Sequence, residues 1–218
     1  MLGKKKHVAA RNALGAALMF AFTATPVTFA AAAEKPGKLS ADVGLAVSDI
    51  TYKEPGVMRE DGHLYGITGS LIYPVQDYRF RADVTWMTGS VDYMGSGTIK
   101  SVTDRLFEIR GTVGRVFELT GWRSTPYMGL GHRYLFDGLG GKISSTGAAG
   151  YDRESRYYYV PIGAEFARQA PIFSSDWRFA ATVEYDYFWK GQQYSKLGSI
   201  AGYEDIRNDQ ENGNGYRF

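Results

Sequence analysis

Most catalytic and metal-binding chemistry in proteins uses histidine or cysteine, and this chain has few of either. It contains no cysteine, which excludes disulfides, thiol catalysis, thiolate metal sites and the cysteine of a lipoprotein anchor. Its histidines are His7, His63 and His132. His7 lies in a segment that we expect to be removed from the mature protein, so it offers no chemistry there.

His132 is a candidate for the base of an acyl hydrolase. We expect it on the apolar face of a strand, near an end that carries a long loop. The next residue on that face is Tyr134 rather than a serine, and the outward positions of the following strand, Tyr158 and Val160, supply no carboxylate. Because a nucleophile, a base and an orienting acid cannot be assembled there, we predict no catalytic residues and no enzymatic activity.

Carboxylates near the end of the chain offer a second kind of chemistry. Glu204, Asp205 and Asp209 lie in one polar stretch, and calcium prefers oxygen ligands of this kind. Their spacing matches no compact calcium loop, and no histidine accompanies them. We interpret them as a solvated charge cluster, and we predict no metal ion and no cofactor.

The other charged residues alternate with apolar ones, which identifies the elements that must carry them. In segments 78–87 and 177–189, bulky apolar residues occupy every second position. This period of two predicts β-strands with one apolar and one polar face. Five further segments follow the same pattern, and they begin near Ala41, Tyr65, Phe107, Tyr127 and Tyr157. An eighth strand is predicted to begin near Gly213.

The first 33 residues differ in character from the rest. Three lysines and Arg11 precede an apolar run from about Ala13, and three alanines at 31–33 provide a small-residue cleavage site. This order predicts a secretory signal peptide over 1–33 and a mature domain over 34–218. The alternative is a membrane-spanning helical anchor, because the run is about long enough to cross a bilayer. Pro26 and several threonines favour the signal peptide.

Removal of that segment changes the charge of the protein. The whole chain has 25 Lys and Arg against 23 Asp and Glu, and residues 1–33 hold four basic and no acidic residues. The remainder therefore has 21 basic and 23 acidic residues, a net charge of −2, and we predict no nucleic-acid partner. No later stretch is apolar and long enough for a membrane helix, so insertion would use strands.

The connections between the predicted strands alternate in length. Residues 74–77 form a tight turn, and 118–124 and 167–176 are fairly short, whereas 137–154 and 191–212 are long, polar and glycine-rich. Short turns on one rim and long loops on the other are typical of outer-membrane barrels. We therefore predict an all-β, eight-stranded, antiparallel up-and-down transmembrane β-barrel.

Two features favour lipid outside the barrel rather than a soluble sandwich. Most strand glycines lie on the polar face, which suits the narrow interior of an eight-stranded barrel. The bulky aromatic residues fall at two heights, as the two girdles of a membrane barrel do; strand propensity alone is the alternative explanation. The predicted girdle residues are Tyr65, Tyr73, Tyr78, Trp86, Phe107, Phe117, Tyr134, Tyr158, Phe166, Trp177 and Trp189.

Charged residues on the polar face would then be enclosed and would need partners, because an unpaired buried charge costs several kcal/mol. The set has five arginines and six carboxylates, which favours an ion-paired, filled interior. A narrow ion path along the same charges is the alternative. The predicted interior network is Asp42, Arg79, Arg81, Asp83, Glu108, Arg110, Arg133, Glu165, Arg178, Glu184 and Asp186.

Over residues 39–218 this pattern resembles the small bacterial outer-membrane barrel family, which includes the barrel of outer-membrane protein A and porin-like relatives. The resemblance implies a monomer in the outer membrane, in contact with its lipid, with lipopolysaccharide and with the barrel-assembly machinery. It also implies a structural, adhesion or envelope-interaction role through the long surface loops. A narrow channel for small solutes and a lipid A-modifying enzyme are the alternatives.

The sequence departs from the family pattern at its end. Tyr216 and Phe218 have the spacing of a terminal aromatic strand, but residues 212–214 resemble a loop. The last strand is therefore predicted to be truncated, as in a fragment that lacks its closing strand. Such a barrel would leave two edges unpaired in lipid, at several kcal/mol for each unsatisfied backbone group.

Overall fold

A computed structural model of the chain describes residues 21–28, 37–54, 56–172, 175–211 and 213–217. Side chains are described in these ranges except at 21–28, 169–172 and 175–178. The described residues form one antiparallel sheet, in which strands that follow each other in sequence lie side by side. This confirms the predicted all-β, up-and-down architecture.

The sheet contains eleven strand segments. In chain order they are β1 (Ala21–Thr28), β2 (Ser40–Glu54), β3 (Met58–Val75), β4 (Tyr78–Gly95), β5 (Gly97–Arg115), β6 (Phe117–Leu119), β7 (Trp122–Gly138), β8 (Arg153–Ile172), β9 (Ser175–Ser195), β10 (Ile206–Gln210) and β11 (Asn214–Arg217). A 3₁₀ turn, Leu197–Ser199, is the helical element in the described part of the chain. No helix found there is both apolar enough and long enough to span a bilayer.

The eleven segments occupy nine positions across the sheet. β6 continues β5 in the same register against β7. β11 likewise continues β10, because Gln210 pairs with Gly191 and Asn214 pairs with Tyr187 of β9. The last strand therefore begins at Ile206, and the prediction that it begins near Gly213 is wrong. Residues 206–209 are exposed on both faces, so they lack the alternation that would have revealed a strand.

β1 adds a strand beside β2, pairing with Gly44–Thr51. This strand lies within the predicted signal segment, whose other residues fall outside the described ranges. The signal peptide over 1–33 stays a prediction. At the opposite end, the described part of the last strand finishes with Arg217 opposite Glu184, midway along β9.

The sheet is rolled, because side chains from strands far apart in its order meet on one face. Arg153 of β8 contacts Glu60 of β3 at 2.7 Å, with three strands between them. Gln193 of β9 reaches Glu54 of β2 at 3.2 Å. Among the described residues, no pairing joins the two ends, so the predicted closed barrel is not formed. β1 occupies the β2 edge at which a closing strand would pair.

The connections define two rims. At the turn side the strands are joined by residues 76–77, 120–121 and 173–174. At the loop side 139–152 and 196–205 are long, but residues 55–57 and the single residue Ser96 join the other hairpins. The predicted alternation of lengths therefore holds for the two long loops and the short turns but fails at these two connections, because β2 to β5 extend as long hairpins where loops were expected.

The concave face encloses polar side chains, and the convex face carries apolar ones. Val183 is 53% exposed on the convex face, whereas its neighbour Glu184 is 2% exposed on the concave face. An apolar cluster also fills the loop-side end of the interior, a feature that the sequence pattern did not predict. It includes Leu64, Met87, Val91, Val102, Leu106 and Leu135.

Candidate functional site

The enclosed charges form a connected network whose centre is Arg217 of β11. Its guanidinium donates to both carboxylate oxygens of Glu108, at 2.8 and 3.0 Å. It also donates to Asp186 at 3.1 Å and to the Tyr159 hydroxyl at 3.0 Å. Arg133 shares Glu108, with its Nε 2.5 Å from Oε2. The last strand is therefore tied to β5, with three strands between them in the sheet order.

A second group of pairs adjoins this centre. Arg110 of β5 donates to Glu184 of β9 at 2.7 Å and to Asp83 of β4 at 3.0 Å. Arg81 donates to the same Asp83 at 2.7 Å. Tyr127 donates its hydroxyl to Glu184 at 2.6 Å. Each carboxylate thus accepts at least two hydrogen bonds, which offsets the cost of enclosing it.

The turn-side part of the network is a bidentate pair. Arg79 of β4 donates to both oxygens of Glu165 of β8, each at 2.9 Å, and both side chains are buried. Two strands lie between β4 and β8 in the sheet order. This pair therefore crosses the interior.

The structure brings nine of the eleven predicted network residues into these ion pairs. Asp42 is half-buried on the same face, and no ion pair to it is found among the described side chains. The side chain of Arg178 lies outside the described residues. Sequence reasoning missed Arg217, because it follows an Asn- and Gly-rich stretch without clear alternation. Arg217 lies two residues after Gly215, so both fall on the same face of a strand, and this spacing was the signal that could have identified Arg217.

The predicted girdle residues lie mainly on the convex face. Trp86 pairs directly with Phe107, and Phe107 with Tyr134, so these three form one row across β4, β5 and β7. Tyr134 is half-buried, and the side chain of Trp177 lies outside the described residues. The other nine side chains are exposed, namely Tyr65, Tyr73, Tyr78, Trp86, Phe107, Phe117, Tyr158, Phe166 and Trp189.

A second charge cluster lies in the interior on the loop side of that aromatic row. Arg153 of β8 donates to Asp137 at 2.7 Å and to Glu60 at 2.7 Å, and it lies 3.6 Å from Glu54. Asp104 adjoins this group at 1% exposure, and its Oδ1 has no hydrogen-bond partner. One guanidinium therefore faces four carboxyl groups, so they cannot all be ionised at low cost.

Burial is the main cause of the shifted titration in this cluster. It raises the pKa of Glu60 to about 9, against the attraction of Arg153, and the nearby carboxylates Asp137 and Asp104 add to the shift. Burial, with repulsion from Asp137, raises the pKa of Asp104 to about 8. The pKa of Asp137 is also raised, again by burial. The cluster therefore holds protons at neutral pH.

The loop 139–152 folds over this end of the interior. The hydroxyls of Ser144 and Thr146 donate to the backbone oxygen of Ser96, at 2.8 and 2.7 Å. Ser145 and Thr98 exchange two more hydrogen bonds, so the loop is attached to the tip of the β4–β5 hairpin. A small cavity of about 60 Å³ remains beneath it, lined by residues that include Met58, Ile99 and Arg153.

The residues considered for catalysis and metal binding are separated. The His132 ring packs against the Tyr158 ring, with centroids 4.8 Å apart. Asp205 accepts from the Gly198 amide, whereas Asp209 contacts Gln192. Within the described part of the chain, no three His, Asp or Glu residues are grouped to hold a metal ion.

The chain matches no protein-family model, no curated protein and no solved structure.

Proposed function

We propose that this protein is an outer-membrane β-barrel with a filled interior, which serves the cell envelope as a structural, adhesion or interaction protein through its loop side. The barrel consists of eight strand positions, from β2 to the combined β10 and β11. The observation that carries the proposal is the inverted burial of the sheet: apolar side chains lie outside and ion pairs lie inside.

The energetics of this arrangement favour lipid. Moving a large apolar side chain out of water is worth about 1.5–3 kcal/mol, and the convex face exposes many, including Trp86, Val84 and Val183. Monomeric soluble proteins rarely carry such a large continuous apolar surface. Hydrocarbon around the convex face would remove this cost while the enclosed charges keep their partners.

The dimensions also support a membrane position. On β4, Tyr78 and Trp86 bound a stretch of nine residues whose outward positions are apolar. A strand tilted by about 45° needs about 9–11 residues to cross the hydrocarbon. We assign the stretches between the two aromatic belts to the membrane, so Glu60, Asp104 and Asp137 lie outside it on the loop side.

Closure of the barrel follows from release of β1. If 1–33 is cleaved as a signal peptide, the β2 edge at Gly44–Thr51 becomes free to pair. The hydrogen bond from Gln193 to Glu54 already brings β9 and β2 together, with only the position of the last strand between them. Pairing of the last strand with β2 would then satisfy both edges, as the membrane requires.

Basic residues outside the loop-side belt support contact with lipopolysaccharide. Arg105 lies above the Phe136 ring at 5.5 Å, and Arg156 lies above the Tyr134 ring at 6.0 Å. Lys196 and Arg156 share one carboxylate, Glu154. This leaves a net positive surface at the level of the headgroups, where phosphates are the complementary partners.

The filled interior favours a non-conducting protein over a channel, and electrophysiology tests this. The mature chain, refolded into vesicles, should migrate differently on a gel before and after boiling, as a folded barrel does. In planar bilayers it should give no stable open state. A boiling-independent migration would contradict the barrel, and a stable conductance of the folded protein would contradict the filled interior.

A further inference from the structure

A row of polar residues crosses the convex face of three neighbouring strands. Asp49 of β2 pairs directly with His63 of β3, and His63 pairs directly with Ser90 of β4. All three side chains are exposed. The Nδ1 atom of His63 contacts Oδ1 of Asp49. An acid, a histidine and a serine therefore stand side by side, in that order, although 41 positions separate the first from the last in sequence.

This order is the one that an acyl-transfer site needs. The carboxylate at Nδ1 orients the imidazole and leaves Nε2 as the proton acceptor. Residues directly opposite each other on neighbouring strands have Cβ atoms about 4.5–5.5 Å apart. That separation brings a serine hydroxyl and an imidazole into reach of each other through rotation of their side chains.

We propose that Asp49, His63 and Ser90 form an esterase site for the acyl ester of a membrane lipid. The proposal rests on the proposed membrane barrel, because only a lipid-facing wall brings such esters to this surface. His63 lies two residues beyond Tyr65 of the loop-side belt, on the same face. Aromatic belts mark the interface between hydrocarbon and headgroups, and the ester groups of lipids lie at that level.

The chemistry proceeds in two balanced steps. Ser90 Oγ attacks the ester carbonyl carbon and gives its proton to His63 Nε2. The carbon–oxygen bond to the lipid alcohol then breaks, and His63 returns the proton to that alcohol. Water next attacks the acyl-serine and gives a proton to His63, the bond between the acyl carbon and Ser90 Oγ breaks, and His63 returns that proton to Oγ. The products are a free fatty acid and the deacylated lipid alcohol, Ser90 and His63 are regenerated, and Asp49 holds the imidazole throughout.

The residue next to Ser90 on the row is of a type that stabilises the negative charge that develops on the ester carbonyl oxygen. Thr103 of β5 pairs directly with Ser90 and is also exposed. Its hydroxyl is a hydrogen-bond donor beside the position of the carbonyl oxygen, and a donor of this kind stabilises the oxyanion. His132 of β7 lies outside this row and has an aromatic neighbour instead of a carboxylate, so it provides a matched control.

The test uses the mature chain, residues 34–218, refolded in vesicles, with folding checked by its gel migration. One arm contains phospholipid alone, and the other adds lipopolysaccharide. Release of fatty acid in both arms identifies phospholipid as the ester source, and release in the second arm alone identifies lipopolysaccharide. A fluorophosphonate probe reports the nucleophile. We expect fatty-acid release and labelling of Ser90, and losses on the order of 1000-fold in release for Ser90→Ala and His63→Ala. Asp49→Asn should lose at least about 100-fold.

His132→Ala should release fatty acid like the unmodified chain, because its ring lies outside the row. If the folded protein releases no fatty acid in either arm, the esterase site is overturned and the barrel is left intact. Release that survives Ser90→Ala would also overturn it. Failure of the unmodified chain to fold into vesicles would instead overturn the membrane barrel.

Discussion

Asp104 and Asp137 are direct partners across β5 and β7, and both carboxyl groups face the interior. Like charges in this position repel each other, because directly opposite side chains on neighbouring strands are only about 5 Å apart. Each has a buried Oδ1 without a hydrogen-bond partner. The pair is therefore suited to holding a proton, and it makes the loop-side end of the interior sensitive to pH.

Stability should fall as the pH rises from about 6 to about 9. The pKa values of Asp104 and Glu60 are raised to about 8 and about 9, so in this range the folded state binds more protons than the unfolded state. The free energy of unfolding then decreases with pH. Denaturant unfolding of the refolded protein in micelles, measured between pH 6 and pH 9.5, checks the slope.

Asp104→Asn should flatten that slope, because the amide needs no proton to stay neutral. Asp77→Asn is the matched control: Asp77 is exposed at the turn side, and the variant should keep the slope of the unmodified chain. A stability that rises between pH 6 and pH 9, or an Asp104→Asn variant with an unchanged slope, would contradict the assignment.

Among the residues of the central network, Arg217 should be the one whose substitution lowers the free energy of unfolding most. Its loss leaves Glu108 and Asp186 enclosed with too little positive charge, and breaking a buried pair typically costs about 3–5 kcal/mol. We expect Arg217→Gln to lower the free energy of unfolding by that amount, as measured by denaturant titration in micelles.

Arg207→Gln provides the comparison for this prediction. Arg207 lies on the same last strand but is exposed, so the variant should differ from the unmodified chain by less than about 1 kcal/mol. Equal effects of the two substitutions would show that the enclosed network does not stabilise the sheet.

The sequence predicted the two faces of each strand because alternation is a local property. Val183 and Glu184 are adjacent, and a period of two assigns them to opposite faces before any fold is known. At the loop side of the strands this alternation of apolar and polar residues is weaker. There the interior is partly apolar, as at Leu64 and Leu106, so both faces of the strand carry similar residues and the alternation fades.

The partners of charged residues could not be predicted, because they depend on the roll and register of the sheet. Arg153 and Glu60 are 93 positions apart, and a shift of one residue in any ladder between them would separate them. The contact between Asp49 and His63 likewise depends on the register of β2 and β3, so it could not be predicted from the sequence pattern. A β-bulge between β8 and β9 also turns both Trp189 and Lys190 outward, which simple alternation did not anticipate.

Val183→Arg tests the lipid contact of the convex face. Val183 lies near the middle of β9, and an arginine facing lipid at the bilayer midplane costs about 2–4 kcal/mol. We expect a smaller folded fraction in vesicles. Ile206→Arg, on the exposed loop-side end of the last strand, should fold as the unmodified chain does, and equal folding of both variants would argue against a membrane position.

The chain has no cysteine, so a single spin label can be placed at will, and the direct measurement compares a position on the convex face of β4 with one at the loop-side end of β5. A label at Val84→Cys, on the convex face, should be accessible to oxygen dissolved in the bilayer and protected from a water-soluble nickel complex. A label at Thr98→Cys, at the exposed loop-side end of β5, should show the reverse. A Val84→Cys label that the nickel complex reaches freely, in protein incorporated into vesicles, would contradict a lipid-facing sheet.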